Sequence, residues 1–169
     1  VKPGDIAVLF RARASHREFE RALEDRSIPT YVYKGLGFFD ADEIKDIRAL
    51  IRFLGDPTSD LRAAALLRSR FAGVSDLAIV ALAGRLSDTL VADAEPSGAQ
   101  PLPADDLRRL LRLRAGLSTW LRLVDRCPPA EVIDRVLHEA AYAFELRGRH
   151  VIQARENVKK MRGLVRRLQ

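Results

Sequence analysis

Cysteine occurs once in this chain, at Cys127, so no internal disulfide can form and no multi-cysteine metal site can be assembled from it. A reducing, cytoplasmic setting is the expectation that follows. No apolar run approaches the roughly 20 residues needed to cross a bilayer, which excludes a membrane-spanning helix from the expected elements. The opening Val1-Lys2-Pro3-Gly4-Asp5 has no basic region, apolar region or cleavage site of a secretion signal. It has no initiating methionine either, as expected of a chain cut from a longer one. A glycine-rich G-x-x-x-x-G-K-[ST] loop is missing, and so is an acidic box for magnesium, so the chain alone is not expected to hydrolyse a nucleotide. Lysine is scarce, at five of the 29 basic residues.

What is present is arginine. Net charge is +6 and the pI is near 10.0. A surplus of that sign favours polyanion partners, because each phosphate neutralised releases condensed counterions. Arginines with long amphipathic stems also solvate helix faces, and composition alone leaves both readings open. A hydrophobic fraction of 47% with 31% charged residues fits a globular chain. Its 169 residues suffice for one ordinary domain or two small pieces joined by a linker.

The pattern predicts two pieces. Residues 5–11 (DIAVLFR) have the length and composition of a buried strand, introduced by the turn pair Pro3-Gly4. Ser15 to Arg26 reads as a helix with Phe19, Ala22 and Leu23 at helical spacing, and Thr30-Tyr31-Val32-Tyr33 reads as a second strand. Strand, helix, strand implies a right-handed parallel pair, the unit of an α/β sheet. A longer helix is expected from Asp40 to about Leu54, then helices at about 59–68 and 75–86. Residues 87–104 shift to Asp, Ala, Ser, Gly and Pro, the composition of a linker. Beyond it all is helical: 105–125, 129–146 and about 151–168. The expected fold class is therefore α/β at the N-terminus followed by an all-α region, mainly helical overall.

Several blocks in order carry a resemblance. Gly4-Asp5-Ile6-Ala7-Val8-Leu9-Phe10-Arg11, then Glu20-Arg21-Ala22-Leu23, then Ser27-Ile28-Pro29-Thr30-Tyr31 resemble the motif IV region of UvrD-like superfamily 1 DNA helicases. Gly35-Leu36-Gly37-Phe38-Phe39, Glu43-Ile44-Lys45-Asp46 and Gly55-Asp56-Pro57 are similar to the stretch that follows in that family, at closely similar spacing. The wording is nearest the helicase-nuclease branch of the AddA and RecB type, which includes exodeoxyribonuclease V. The resemblance implies that residues 1–86 are the first segment of a RecA-like motor domain 2A and that 105–169 are helices of the inserted domain 2B. It implies a parent that binds ATP and Mg2+, hydrolyses ATP, moves on single-stranded DNA and unwinds duplex in repair or recombination. The expected partners are DNA, the remaining helicase domains and a nuclease domain or subunit, with no membrane.

In the family the aromatic residue ending the motif IV strand stacks on adenine and the next arginine reaches the γ-phosphate; Phe10 and Arg11 stand at those positions here. The chemistry is coherent, since phosphoryl transfer needs positive charge brought to the phosphate as charge redistributes. The segment Asn157-Val158-Lys159-Lys160-Met161 resembles the family's asparagine-leucine helix start in domain 2B. Around it Arg147, Arg149, His150, Arg155, Lys159 and Lys160 form a basic cluster suited to duplex phosphates without reading sequence, and the residues expected to touch DNA are Arg147, Arg149, Arg155, Asn157, Lys159 and Lys160.

Other candidates read as structural. Gly35-Leu36-Gly37 precedes a helix opening with Asp40, Asp42 and Glu43, whose charges would repel an anion, so the glycines serve the turn. The family often has arginine where this chain has Ala41, so DNA contact is not carried over to that loop. His16, His138 and Cys127 lack ligand-spaced partners, and no metal is expected. Trp120 lies at helical spacing with Leu117, Leu121 and Val124, a core position. The rival reading is a non-catalytic helical module that binds nucleic acid or a protein partner.

Overall fold

The computed structural model describes residues 2–11, 15–28, 30, 38–92, 102–148 and 150–168. Eight α-helices are formed among them: α1 (His16–Glu24), α2 (Asp42–Gly55), α3 (Asp60–Arg68), α4 (Asp76–Ala81), α5 (Leu86–Val91), α6 (Ala104–Val124), α7 (Pro129–Glu139) and α8 (Val151–Arg167). Short 3-10 turns occur at Pro3–Asp5, Phe38–Asp40 and Tyr142–Phe144. None of these helices is long and apolar enough to cross a membrane.

The expected α/β unit is not formed. No strand exists among the described residues, and the segment from Ile6 to Phe10 runs without a ladder partner. Its side chains face outward, Leu9 at 94% exposure. Residues 31–33 of the second expected strand lie outside the described residues. The physical reason is that β-preference is realised only when a neighbouring backbone supplies donors and acceptors, and none among the described residues stands beside residues 6–10. The helical expectation fares differently. α1, α2, α3, α6 and α8 fall where periodicity places them, within two residues at their ends.

Two helices end early, each for a backbone reason. The helix expected over 75–86 divides into α4 and α5 around Gly84, whose φ of +80 is open to glycine alone without strain. Ser87, expected at the start of a linker, lies inside α5 and bonds Asp60 with both its N–H (2.8 Å) and its hydroxyl (2.7 Å). The helix expected to reach residue 146 stops at Glu139, because Ala141 takes a left-handed φ of 51 and the chain turns into Tyr142–Phe144.

The helices close into a ring. α2 packs on α3, α3 on α5, α5 on α6, α6 on α7, α7 on α8 and α8 back on α2, with α2 also meeting α6 across the middle. One core fills it, including Leu50 and Phe53 from α2, Leu66 and Leu67 from α3, Leu110 and Leu117 from α6 and Val136 from α7. That core draws on both sides of the linker. Trp120 is buried in it, as its spacing predicts.

Buried polar groups tie the ring at defined points. The Tyr142 hydroxyl donates to Asp46 Oδ2 at 2.7 Å, and Arg70 Nη1 donates to the same oxygen at 3.0 Å. The Tyr142 ring stacks on Phe71 with centroids 4.5 Å apart. Burial raises the Asp46 carboxyl above the ordinary range, against the pull of Tyr142 and Arg70, and burial likewise raises the Tyr142 hydroxyl. Asp106, in the first turn of α6, accepts from Ser75 N–H (3.0 Å) and hydroxyl (2.6 Å), while Ser75 Oγ accepts from Ala78 N–H at the start of α4. One carboxylate thus positions the cap of another helix.

Three outcomes follow. Tyr142→Phe leaves Asp46 and Arg70 paired but removes one bond to a carboxylate, and should cost about 1–3 kcal/mol in urea unfolding. Gly116→Ala puts a Cβ 2.6 Å from Trp120 Cζ2, and that ring is pinned by its Nε1 donating to Glu139 Oε2 at 2.7 Å. Alanine gains about 1 kcal/mol of helix propensity, but overpacking costs about 1–3 kcal/mol, so the net change is a loss of about 1 kcal/mol or more.

The third outcome concerns pH. Asp60, Asp106 and Asp134 are held below the usual carboxylate range, by the Ser87 N–H, the Ser75 hydroxyl and the Arg162 guanidinium respectively. A depressed folded value means their stabilisation is complete above the unfolded value, about 4, and is lost as pH falls through the folded values. Asp46 has the opposite sign, binding its proton more tightly when folded, and so resists the loss in the window just above 4. Melting temperature read by circular dichroism should fall steeply below about pH 4, and Asp134→Asn should make that acid limb shallower.

Candidate functional site

Two groups of residues stand out, one at the N-terminal segment and one on α8. Phe10 and Arg11 end the extended run from Ile6, and no strand among the described residues shields either. Phe10 is 39% exposed and meets Phe19 of α1 edge to face, with ring centroids 5.1 Å apart. The contact leaves part of the Phe10 side chain accessible. Arg11 is exposed and has no partner among the described residues. An aromatic face and a guanidinium on consecutive residues fit a purine with an attached phosphate chain in residue type. Asp5, the one carboxylate of this segment, accepts from the Lys2 N–H at 2.8 Å, so no acidic set here fits magnesium.

The basic cluster at α8 is divided by the structure. Arg155 and Lys159 lie one helical turn apart and are exposed; Lys159 pairs loosely with Glu156 at 3.8 Å. Arg147 is exposed before the helix, its Nε donating to the Phe144 carbonyl at 3.2 Å. Lys160 turns elsewhere, its Nζ lying 4.3 Å from the centre of the Phe38 ring. His150 Nδ1 lies 3.8 Å from Glu24 Oε1 of α1, with the imidazole largely exposed. Arg149 lies outside the described residues.

Asn157 stands apart from that surface. It is buried, its Nδ2 donates to Glu43 Oε1 at 2.6 Å, and its Oδ1 accepts from Gln153 Nε2 at 3.0 Å. Its amide is engaged in joining α8 to α2. The sequence reading missed Arg162 and Arg166, which continue the Arg155 and Lys159 stripe at helical spacing and both bond Asp134 on α7. The signal was there in the 155, 159, 162, 166 period.

Comparison with known proteins covers the first of these groups most fully. A family model described as the UvrD-like helicase C-terminal domain matches residues 1–94. The chain is similar to the AddA-type ATP-dependent helicase/nuclease protein of Moorella thermoacetica, 39% identical over 102 residues, covering 59% of this chain and 7% of that protein. The proteins of the same description from Anoxybacillus flavithermus and Desulforamulus reducens are 25% and 29% identical over 139 and 141 residues, each covering 82% of this chain. The chain spans only 12% and 11% of those two relatives' lengths. With the family model matching 94 of 169 residues, the chain belongs to the UvrD-like helicase C-terminal domain family.

Proposed function

We propose that this chain is one part of an ATP-dependent DNA helicase, of the helicase-nuclease kind, that moves on single-stranded DNA and unwinds duplex in repair or recombination. The observation that carries the reading is the pair Phe10-Arg11, exposed at the end of the extended segment inside the matched region. Phe10 stacks on adenine. Arg11 reaches the γ-phosphate from the second motor domain and stabilises the charge of the transition state. ATP and Mg2+ would be held mainly by other parts of the parent, since this segment brings no phosphate loop and no magnesium ligands. The fragment is inactive alone. Its setting is the reducing cytoplasm, in keeping with the lone half-buried Cys127.

In this proposal residues 1–86 are the first segment of motor domain 2A and residues 105–169 are helices of the inserted, DNA-facing domain 2B, with helices from both sides of residues 87–104 sharing one core. Arg147, Arg149, Arg155 and Lys159 meet phosphates, while Asn157 positions α8 through Glu43. The self-contained core also favours the rival, a binding module without motor activity.

Turnover separates them. In the parent protein Arg11→Ala should lower DNA-stimulated ATPase kcat by about 10³-fold or more, the usual scale for an arginine finger. Arg11→Lys should also be damaging, because an ammonium cannot reproduce the planar fork. Normal kcat in both variants would defeat the assigned role.

A further inference from the structure

Opposite the core, α6 carries a second set of cations. Leu110, Leu113, Leu117 and Trp120 of this helix are buried, and at 100° per residue the side facing away from them holds Arg108, Arg112, Arg122 and, just past the helix end, Arg126. All four are exposed. Between the two pairs the same side carries Ala115 and Thr119, so the middle of the face is low. Arg112 and Arg126 have no partner among the described residues, and Arg122 Nη2 makes only a 3.4 Å contact to Thr119 Oγ1. Arg108 is held by Asp105, both side chains being over 70% exposed, so water and salt screen that pair. Asp125 lies to one side of the stripe and Glu131 is taken by Arg135.

From this arrangement we propose that the outer face of α6 binds the sugar-phosphate backbone of duplex nucleic acid, without reading its sequence. The spacing suits two strands at once. Arg112 and Arg122 are ten residues apart, about 15 Å along the axis, against a major groove about 12 Å wide. Each arginine pair therefore reaches one of the two backbones flanking a groove, and the small residues between let the helix lie close. Guanidinium forks suit phosphate oxygens, and no set of hydrogen-bonding amides stands between them to read bases. An acidic protein surface is the competing occupant. The regular pairing of four cations about a low centre matches two parallel lines of phosphates better than an irregular carboxylate patch.

The inference rests on the helical body being the DNA-facing part of the proposed helicase, but it is tested without ATP. Binding of a 20-base-pair duplex to the 169-residue chain is measured by fluorescence anisotropy over a series of NaCl concentrations. The variant Arg108→Gln/Arg112→Gln/Arg122→Gln/Arg126→Gln keeps helix-favouring side chains, and its circular dichroism should match the parent chain. The slope of log K against log [NaCl] should become shallower by about 0.9 for each lost contact, between 2 and 4 in all. Arg155→Gln/Lys159→Gln on α8 reports that face separately. An unchanged slope in the fourfold variant overturns the proposal, and so does the absence of duplex binding by the unaltered chain. Equal competition by polyglutamate at matched charge assigns the face to an acidic protein and overturns it as well. None of these results touches the turnover of Arg11 variants, so the two readings fail independently.

Discussion

The helical body depends on two carboxylates that α2 carries inward one turn apart. Glu43 is buried against Asn157 of α8, and Asp46 receives Tyr142 and Arg70. Asn157 and Tyr142 lie 114 and 96 residues away from them in sequence. Between and beyond them the same helix buries Ile44, Ile47, Leu50 and Phe53. Apolar contact supplies most of the attraction but does not by itself fix register, because leucine packs acceptably at neighbouring offsets. A buried carboxylate without its donor is costly, so only the arrangement that brings Asn157 and Tyr142 to α2 avoids that cost. The ring closes where those bonds can form.

That constraint explains what could be read in advance. Helix periodicity depends on neighbours three and four residues apart, so α1, α2, α3, α6 and α8 were legible from local sequence. Glu43 and Asp42 looked alike on that scale, as acids in a first turn. One is exposed and pairs loosely with Lys45 at 3.4 Å, the other is buried, and the difference lies in Asn157. Asn157, expected among the DNA-contacting residues, is instead found buried against Glu43, and sequence neighbours alone could not show that. Its neighbours in sequence are basic, but helical rotation turns it inward while Arg155 and Lys159 face water. The break at Gly84 and the left-handed Ala141 were invisible to periodicity, since both depend on a single backbone angle.

The strand reading fails on the opposite ground. Ile6, Val8 and Phe10 have the residue types of a buried strand, and the sequence match over residues 1–94 includes them. Side-chain composition describes the environment a segment suits, but a ladder needs a second backbone. Exposed apolar groups at Ile6, Val8, Leu9 and Phe19 mark surface of a kind that is normally covered. Composition therefore described an environment that the described residues do not supply, and the segment is extended but unpaired.

Arginine content, ambiguous in the composition, divides into two uses once the contacts are known. Arg26, Arg62, Arg109, Arg114 and Arg147 each donate to a backbone carbonyl, those of Ala22, Arg52, Gly73, Ala92 and Phe144. Arg70, Arg162 and Arg166 are spent on Asp46 and Asp134. These are the structural uses: single donations to carbonyls, and guanidinium–carboxylate pairs at Asp46 and Asp134. Arg11, Arg112, Arg126 and Arg155 have no such partner among the described residues, yet they carry the same desolvation-tolerant, always charged group. A protein that needed charge only for solubility would gain as much from lysine or glutamate at those exposed positions. A bidentate donor with no acceptor among the described residues is free to meet one brought from outside, and phosphate, the partner in the proposed function, is an anion whose geometry that donor matches.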